Sequence, residues 1–245
     1  MKVCIVIPTY NERKNILKLI PEINEIFNVN NIDGQILIID DNSPDGTWDL
    51  AKKYEKENYC KLLRRKSKQG LGTAYKQGFM YALKNGYDVI FEMDADYSHD
   101  PNYIPQMLSK INEGYDMVVG SRLEDGGKRV EYPLHRTVVS NVANEIIKLF
   151  LHIPERDVTT GYRAFRKEVL EKIDVKTLES KGFEFQLETL FKANIKGFKI
   201  THIPIIFRQR VYGNSKMSIN EVIRFLKLAV KLKFKYEIPL RKGRL

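Results

Sequence analysis

The segment DVIFEMDADYSHD (88–100) brings three carboxylates, Asp94, Asp96 and Asp100, to the end of an apolar run from Val89 to Met93. Carboxylates this close raise one another's pKa unless something positive sits between them. Two kinds of chemistry compete for them. Asp is a common helix N-cap, so the residues could cap the next helix. Alternatively they hold a divalent cation, because hard ions such as Mg²⁺ and Mn²⁺ prefer carboxylate oxygens. In an open α/β sheet the carboxyl ends of strands are where ligands bind, so the position after an apolar strand favours neither reading alone but marks the place.

Two further stretches end in the same way. PTYNE (8–12) closes the run VCIVIP, and DDNSPDGT (40–47) closes QILIID. Three acidic strand ends converging on one sheet edge would form a pocket whose carboxylates can accept from a base edge, hydrogen-bond a ribose and hold a cation. Taken singly, Asp45 and Asp49 read as turn and cap residues. KQGLGTAYKQG (68–78) has glycines and lysines but no GKS or GKT, so it is not a P-loop. Gly70 and Gly72 read there as the start of a helix. His99, His135, His152 and His202 read as structural. Cys4 and Cys60 read as small buried hydrophobes.

The elements that must position these residues alternate. Strands are expected at 3–8, 35–40, 60–65, 88–93 and 116–120. Helices are expected at 12–27 (with a kink at Pro21), 47–57, 72–86 and 101–112. Repeated strand–helix–strand units with short loops predict a mainly parallel sheet covered by helices on both faces. Beyond it, 121–136 reads as a polar loop. Helices follow near 136–152 and 184–196, with short strands at 161–166 and 199–207. Gly161, in TGYRAF, reads as a point of close backbone approach that frames the acceptor side.

With 245 residues, 43% hydrophobic, the chain can bury a substantial core, and nothing in its composition suggests disorder. No apolar run reaches the roughly 18 residues of a membrane span, and the first residues do not read as a secretory signal. Low cysteine usage fits a reducing cytosol. Of the net charge of +10, the segment from Arg208 onward carries +9 and the rest +1. Such asymmetry points to an anionic partner. The last helix, near 219–235, sets Arg224, Lys227, Lys231 and Lys235 on one stripe. Ile219, Val222, Ile223, Leu226, Ala229 and Val230 lie opposite, Phe225, Leu228 and Leu232 widen the apolar arc, and Lys233 interrupts it. The helix either packs on the core with a solvated basic face or lies on a membrane with its basic side against lipid phosphates.

In this order, VIPTYNE, IIDDNSPDGTWD, KQGLGTAYKQGF, MDADYSHDP, GSR and RVYGNSK resemble the inverting glycosyltransferases of family two. Within that family they resemble the members that pass mannose from GDP-mannose to dolichyl or another polyprenyl phosphate and carry no C-terminal membrane spans. The likeness reaches from the first strand to about Leu226. It implies a GT-A fold, expected over residues 1–216, and the pattern of charges and apolar residues sets a basic amphipathic tail after it over 217–245. It implies that Pro8, Tyr10, Glu12, Ile39 and Asp41 hold the nucleoside, and that Asp94, Ala95 and Asp96 form the metal–diphosphate motif with Mg²⁺ or Mn²⁺. Ser98 stands where some relatives carry Gln as a third metal contact, so its own contact is direct or through water. Arg122, Arg136 and Ser140 match positions around the acceptor phosphate, and Arg210 and Lys216 match residues that close on the donor diphosphate.

The resemblance therefore implies an enzyme at the cytosolic face of a membrane, with small anchoring subunits as candidate partners and no nucleic-acid partner, and the charge pattern of the tail makes it the expected point of attachment. Asp94, Asp96 and Arg122 are the expected catalytic residues. A lipid phosphate has a second pKa of about 6 and needs no general base. A rival with the same fold would use UDP-glucose or a saccharide acceptor, and a saccharide hydroxyl would need one more carboxylate as base. A basic binding protein without catalysis is the reading from another class, and it leaves the three acidic strand ends unexplained.

Overall fold

The computed structural model describes residues 1–130, 134–208 and 219–236, with the backbone alone at 134–136, 138, 139, 219 and 220. The strands β1 (Val3–Thr9), β2 (Gly34–Asp40), β3 (Lys61–Arg64), β4 (Val89–Glu92) and β5 (Met117–Ser121) alternate with the helices α1 (Arg13–Val29), α2 (Thr47–Lys56), α3 (Leu71–Lys84) and α4 (Ile104–Asn112). The chain continues through β6 (Lys128–Val130), α5 (Leu134–Leu151), β7 (Arg163–Arg166), α6 (Lys167–Lys172), α7 (Phe185–Ile195), β8 (Ile200–Pro204), β9 (Ile206–Arg208) and α8 (Ile219–Lys235).

The main sheet has the order β3-β2-β1-β4-β7-β5-β8. All neighbours pair parallel except β7, which runs antiparallel to both β4 and β5. Every second residue of a strand faces the same way. Cys4 and Val6 of β1 therefore join the core under α3, α5, α6, α7 and α8, while Val3, Ile5 and Ile7 join the core under α1, α2 and α4. Burial pushes the Cys4 and Cys60 thiols up to about 12, and both are free and buried as expected.

Three expectations need correction. The segment 121–136 is not wholly loop, because β6 forms within it and α5 begins at Leu134. The single strand expected at 199–207 divides at Ile205: β8 ends on Pro204, which has no N–H to extend the ladder, and β9 pairs with β6 in a separate two-stranded sheet. Helix α1 runs unbroken through Pro21.

Helix α8 packs against α5 and α7 through Leu228, Ala229 and Leu232. Its basic stripe stays exposed and in part pairs with the body: Lys231 pairs with Glu179, Lys235 stands 3.8 Å from Glu179, and Arg224 stands 3.8 Å from Glu184. Lys233, by contrast, is buried. Its Nζ donates to the Phe150 carbonyl at 2.6 Å, in the last turn of α5, where the unsatisfied carbonyls and the helix dipole favour a cation. Beside these cations α8 also exposes apolar residues: Val222, Ile223, Leu226 and Val230, each between 42% and 47% accessible, and Phe234. Val142, Ile146 and Leu149 make a second exposed apolar stripe on α5, at spacings of four and three.

Candidate active site

The strand order reverses at β1, whose neighbours β2 and β4 are followed by chain going opposite ways, and the crevice beyond such a switch point is where open α/β sheets bind ligands. A pocket of about 450 Å³ lies there. Pro8, Tyr10 and Glu12 reach it from the end of β1, Asp41 from β2, and Asp94, Ala95 and Asp96 from β4. These are the residues the sequence pointed to, with one exception. Ile39 is fully buried in the core and does not line the pocket.

The acidic loops divide their labour. Asp40 accepts from Thr9 Oγ1 and from the backbone N–H and hydroxyl of Ser43, so it binds the β1 and β2 ends together. Asp45 accepts from the Thr47 N–H and hydroxyl and from the Arg13 N–H, which caps two helices at once. Asp41 is the carboxylate left to the pocket. Burial raises its pKa, against the pull of Arg65, whose Nη1 lies 2.8 Å from Asp41 Oδ1. Arg65 in turn donates to Thr73 Oγ1.

The β4 loop is held with similar care. Asp94 Oδ1 accepts from the Tyr75 hydroxyl at 3.0 Å, and the Asp94 N–H donates to His99 Nδ1 at 3.0 Å. Asp96 Oδ1 accepts from the Ser98 N–H at 3.0 Å and from its hydroxyl at 2.5 Å. Tyr97 makes that reversal with φ 63, a conformation uncommon for a bulky residue and a mark of a constrained functional loop. His99 is buried and stacks on Tyr162 with ring centroids 5.0 Å apart. Burial lowers its pKa despite Asp94 and Asp96, so the imidazole is neutral and Nδ1 stays an acceptor. Gly161 sits beneath this loop, where a Cβ would come 3.3 Å from Gln186 Nε2 and 3.7 Å from His99 Cε1.

Two carboxylates on one pocket rim suit a hard divalent cation. Among the described residues no group of three or more His, Cys, Asp or Glu gathers to hold a metal. A two-carboxylate site matches the usual manner of Mg²⁺, which binds through one or two carboxylates and takes its other oxygens from water and substrate phosphates. Ser98 directs its hydroxyl to Asp96, so its place is behind the carboxylate.

Arg122 lies beyond the DAD loop and is gripped by Asp157. Its Nε donates to Asp157 Oδ2 at 2.7 Å and its Nη2 to Asp157 Oδ1 at 2.6 Å and to Thr159 Oγ1 at 2.7 Å. The guanidinium also lies over the Phe207 ring, 5.2 Å from its centroid. Burial would raise the Asp157 carboxyl, but the Arg122 charge and hydrogen bonds bring it down to about 2. Ser140 lies on α5 and accepts from Arg129 Nη2 at 3.3 Å.

The family model for glycosyl transferase family 2 matches residues 4–174. The chain belongs to that family. A polyprenol monophosphomannose synthase of Mycolicibacterium smegmatis is 40% identical over 216 residues, 87% of this chain and 80% of its own. An undecaprenyl-phosphate mannosyltransferase of Micrococcus luteus is 39% identical over 219 residues, 89% of this chain and 88% of its own. Among solved structures, the glucosyl-3-phosphoglycerate synthase of Mycobacterium tuberculosis, in complex with Mn²⁺, UDP and phosphoglyceric acid, superposes with a TM-score of 0.68 at 16% identity. That match covers 97% of this chain and 79% of the other. The mannosyl-3-phosphoglycerate synthase of Rubrobacter xylanophilus gives 0.66 at 19% identity, covering 100% of this chain and 78% of the other. The fold is GT-A, as the sequence implied, and membership of the family makes the chain a glycosyltransferase.

Arg210 and Lys216 lie outside the described residues, as does the Arg136 side chain, although Arg136 falls within α5. Sequence reasoning missed the opposite wall of the pocket. Lys68, Gln69, Gly70 and Leu71 line it before α3, Lys181, Gly182 and Phe183 before α7, and Glu221 and Arg224 from α8. Gly70 does begin a helix as expected, with φ 102, yet its second role is steric. A Cβ there would lie 2.2 Å from the Lys181 carbonyl, so only glycine lets the two wall segments meet. Asp157 was missed too, since its only sequence signal is an acid near TGYRAF.

Proposed function

We propose that this chain transfers mannose from GDP-mannose to a polyprenyl phosphate, dolichyl phosphate among the acceptors, with inversion at the anomeric carbon. The observation that carries the reading is the pairing of a pocket of about 450 Å³, rimmed by Asp94 and Asp96, with an acceptor side on which Asp157 fixes Arg122. The two relatives that share about 40% of their residues with it act, by their names, on a polyprenol or undecaprenyl phosphate.

In this reading Tyr10, Glu12 and Asp41 receive the nucleoside, and Asp94 and Asp96 would hold Mg²⁺ or Mn²⁺ against its diphosphate. Such an ion, when bound, offsets the negative charge that develops on the departing nucleotide. Tyr75, His99 and Ser98 fix the two aspartates through Asp94 Oδ1, the Asp94 N–H and Asp96 Oδ1. Arg210 and Lys216 close on the diphosphate. The acceptor phosphate, oriented by Arg122, Arg136 and Ser140, is already an anion at neutral pH and attacks in line.

The rival with a saccharide acceptor requires a carboxylate that can take a proton. Asp157, beside Arg122, is a poor base because its carboxyl is held at about 2, and Glu92, pushed up to about 8 by burial, is fully enclosed and accepts from Gln186 Nε2 at 2.6 Å. The site therefore favours an acceptor that arrives ionised.

Among the described residues no helix is long and apolar enough to cross a membrane. The exposed apolar stripes of α5 and α8 support attachment to the surface of a membrane at its cytosolic face, with the segment 217–245 as the attaching element and small anchoring subunits as further partners. Helix α8 presents both its apolar residues and its basic stripe to solvent, and Arg224, Lys231 and Lys235 of that stripe stand beside Glu184 and Glu179. The decisive experiment follows radiolabelled mannose from GDP-mannose into a chloroform-soluble product, with and without EDTA. Label passing in a metal-dependent way supports the reading. Absence of transfer from GDP-mannose, with transfer from UDP-glucose, would replace it.

A further inference from the structure

The loop between β3 and α3 is fixed at both ends. At its start the Arg65 N–H donates to the Asp40 carbonyl at 2.8 Å, and Arg65 Nη1 lies 2.8 Å from Asp41 Oδ1. At its end the Gly72 N–H donates to the Lys181 carbonyl at 3.0 Å. Lys68 stands between these anchors and lines the pocket together with Tyr10 and Asp41. Its side chain is exposed, and its Nζ lies 4.6 Å from the centroid of the Tyr10 ring. Among the described residues it enters no hydrogen bond or ion pair. A cation over an aromatic face at an exposed site gains only about 0.5–1 kcal/mol, so the ammonium can leave the ring for a ligand.

An ammonium with its N–H donors thus stands beside the residues to which the proposed function gives the nucleoside. Glu12 and Asp41 bring carboxylates there, and an ionised carboxylate accepts hydrogen bonds and donates none. Such groups can bind the N–H groups of a base but do nothing for its acceptors. Guanine carries two acceptors on one edge, O6 and N7, and lysine is one of the side chains that bind them. Adenine keeps N7 but presents an amino group where guanine has O6, so an ammonium facing it meets a second donor.

We infer that Lys68 reads the nucleobase, donating to the O6–N7 edge of guanine and so selecting a guanosine over an adenosine nucleotide. The inference rests on the GDP-mannose donor proposed above. A lysine that served only the diphosphate would favour every nucleoside diphosphate alike. The sheet order speaks for the base: β2 and β1 stand between β3, which leads into the Lys68 loop, and β4, whose end carries Asp94 and Asp96. Anchoring of the loop at Asp40, Asp41 and Lys181 holds the backbone of Lys68 in place before the nucleotide arrives, which lowers the ordering cost of binding.

The test measures the affinity of the full chain for GDP and for ADP by isothermal titration in the presence of Mn²⁺, in the wild type, Lys68→Met and Lys68→Arg, with melting temperatures alongside. The wild type should prefer GDP. Lys68→Met is expected to weaken GDP binding about tenfold, within the range that one such base contact supplies, and to leave ADP binding unchanged, so that the preference narrows. Lys68→Arg, whose fork also fits O6 and N7, should keep the preference. Unchanged GDP affinity in Lys68→Met overturns the inference. So does an equal loss for GDP and ADP, which would assign the lysine to the diphosphate or, with a lower melting temperature, to the fold. A wild type that takes mannose from GDP-mannose but binds GDP and ADP equally overturns this inference alone. A wild type that binds UDP more tightly than GDP overturns the donor reading and the inference with it, and that result appears before any variant is made.

Discussion

Asp157 and Arg122 form a closed fork: Nε to Oδ2 at 2.7 Å and Nη2 to Oδ1 at 2.6 Å, with the Arg122 backbone N–H adding a third bond to Oδ2 at 3.1 Å. One carboxylate thus fixes both the side chain and the main chain just after β5. Asp157→Asn removes the counter-charge and leaves a guanidinium that is 9% exposed. Breaking a buried pair by removing one partner costs about 3–5 kcal/mol. The expected outcome is a clear fall in the denaturant midpoint. A midpoint within error of the wild type would show that the pair is not the clamp described here.

The same pair sets an acid limit. The Asp157 carboxyl goes from an ordinary 3.8 to about 2 in the folded chain. A depressed carboxyl stabilises the fold above its unfolded pKa, and the contribution is lost as pH falls through the folded one. The window is therefore pH 4 to 2, with about 2 kcal/mol at stake. Wild type should lose stability steeply across that window, and Asp157→Asn should show a shallower slope there in an acid titration followed by far-UV circular dichroism.

Asp96 and Ser98 make separable predictions about the donor. Asp96→Asn removes a rim carboxylate and should abolish Mn²⁺-dependent GDP-mannose binding, with turnover falling about 100-fold or more. Ser98→Ala leaves both carboxylates and removes only the hydroxyl that donates to Asp96 Oδ1. Loss of such a supporting contact typically lowers metal affinity about 10- to 100-fold. Ser98→Ala should therefore recover activity at high Mn²⁺, and Asp96→Asn should not. Isothermal titration with Mn²⁺ and GDP distinguishes them, and identical behaviour of the two variants would return Ser98 to the ligand set.

These contrasts show which parts of the site were legible in the sequence. The acidic strand ends were, because an apolar run followed at once by Asp or Glu marks both a strand and its ligand-binding end, as at Asp41, Asp94 and Asp96. The division of roles among the acids was legible only where local chemistry governs, as in the cap made by Asp45. What was not legible depends on contacts distant in sequence. Gly70 meets Lys181 across more than a hundred residues, and Asp157 finds Arg122 only after β7 is inserted between β4 and β5. Ile39 fails for a different reason: alternation along β2 turns its side chain into the core, next to the Asp40 and Asp41 that follow it.

The surface of α8 permits a test that separates two modes of attachment. Helical periodicity groups Arg224, Lys227, Lys231 and Lys235, but Glu179 and Glu184 stand beside three of them, Arg224, Lys231 and Lys235, so part of the stripe's charge is compensated within the protein. Their reversal should change membrane affinity little. The exposed arc of Val222, Ile223, Leu226, Val230 and Phe234 is apolar and would enter the headgroup boundary. Replacing Leu226 and Val230 together by Asp should greatly reduce co-sedimentation with anionic liposomes. It should leave transfer to a detergent-soluble short-chain acceptor near wild type, because neither side chain lines the pocket. Lys231→Glu sets its new charge beside Glu179 and should lower stability slightly, with liposome binding largely kept. If instead Lys231→Glu releases the protein from liposomes and the double Asp variant stays bound, the basic stripe is the attaching face and the apolar arc has another occupant.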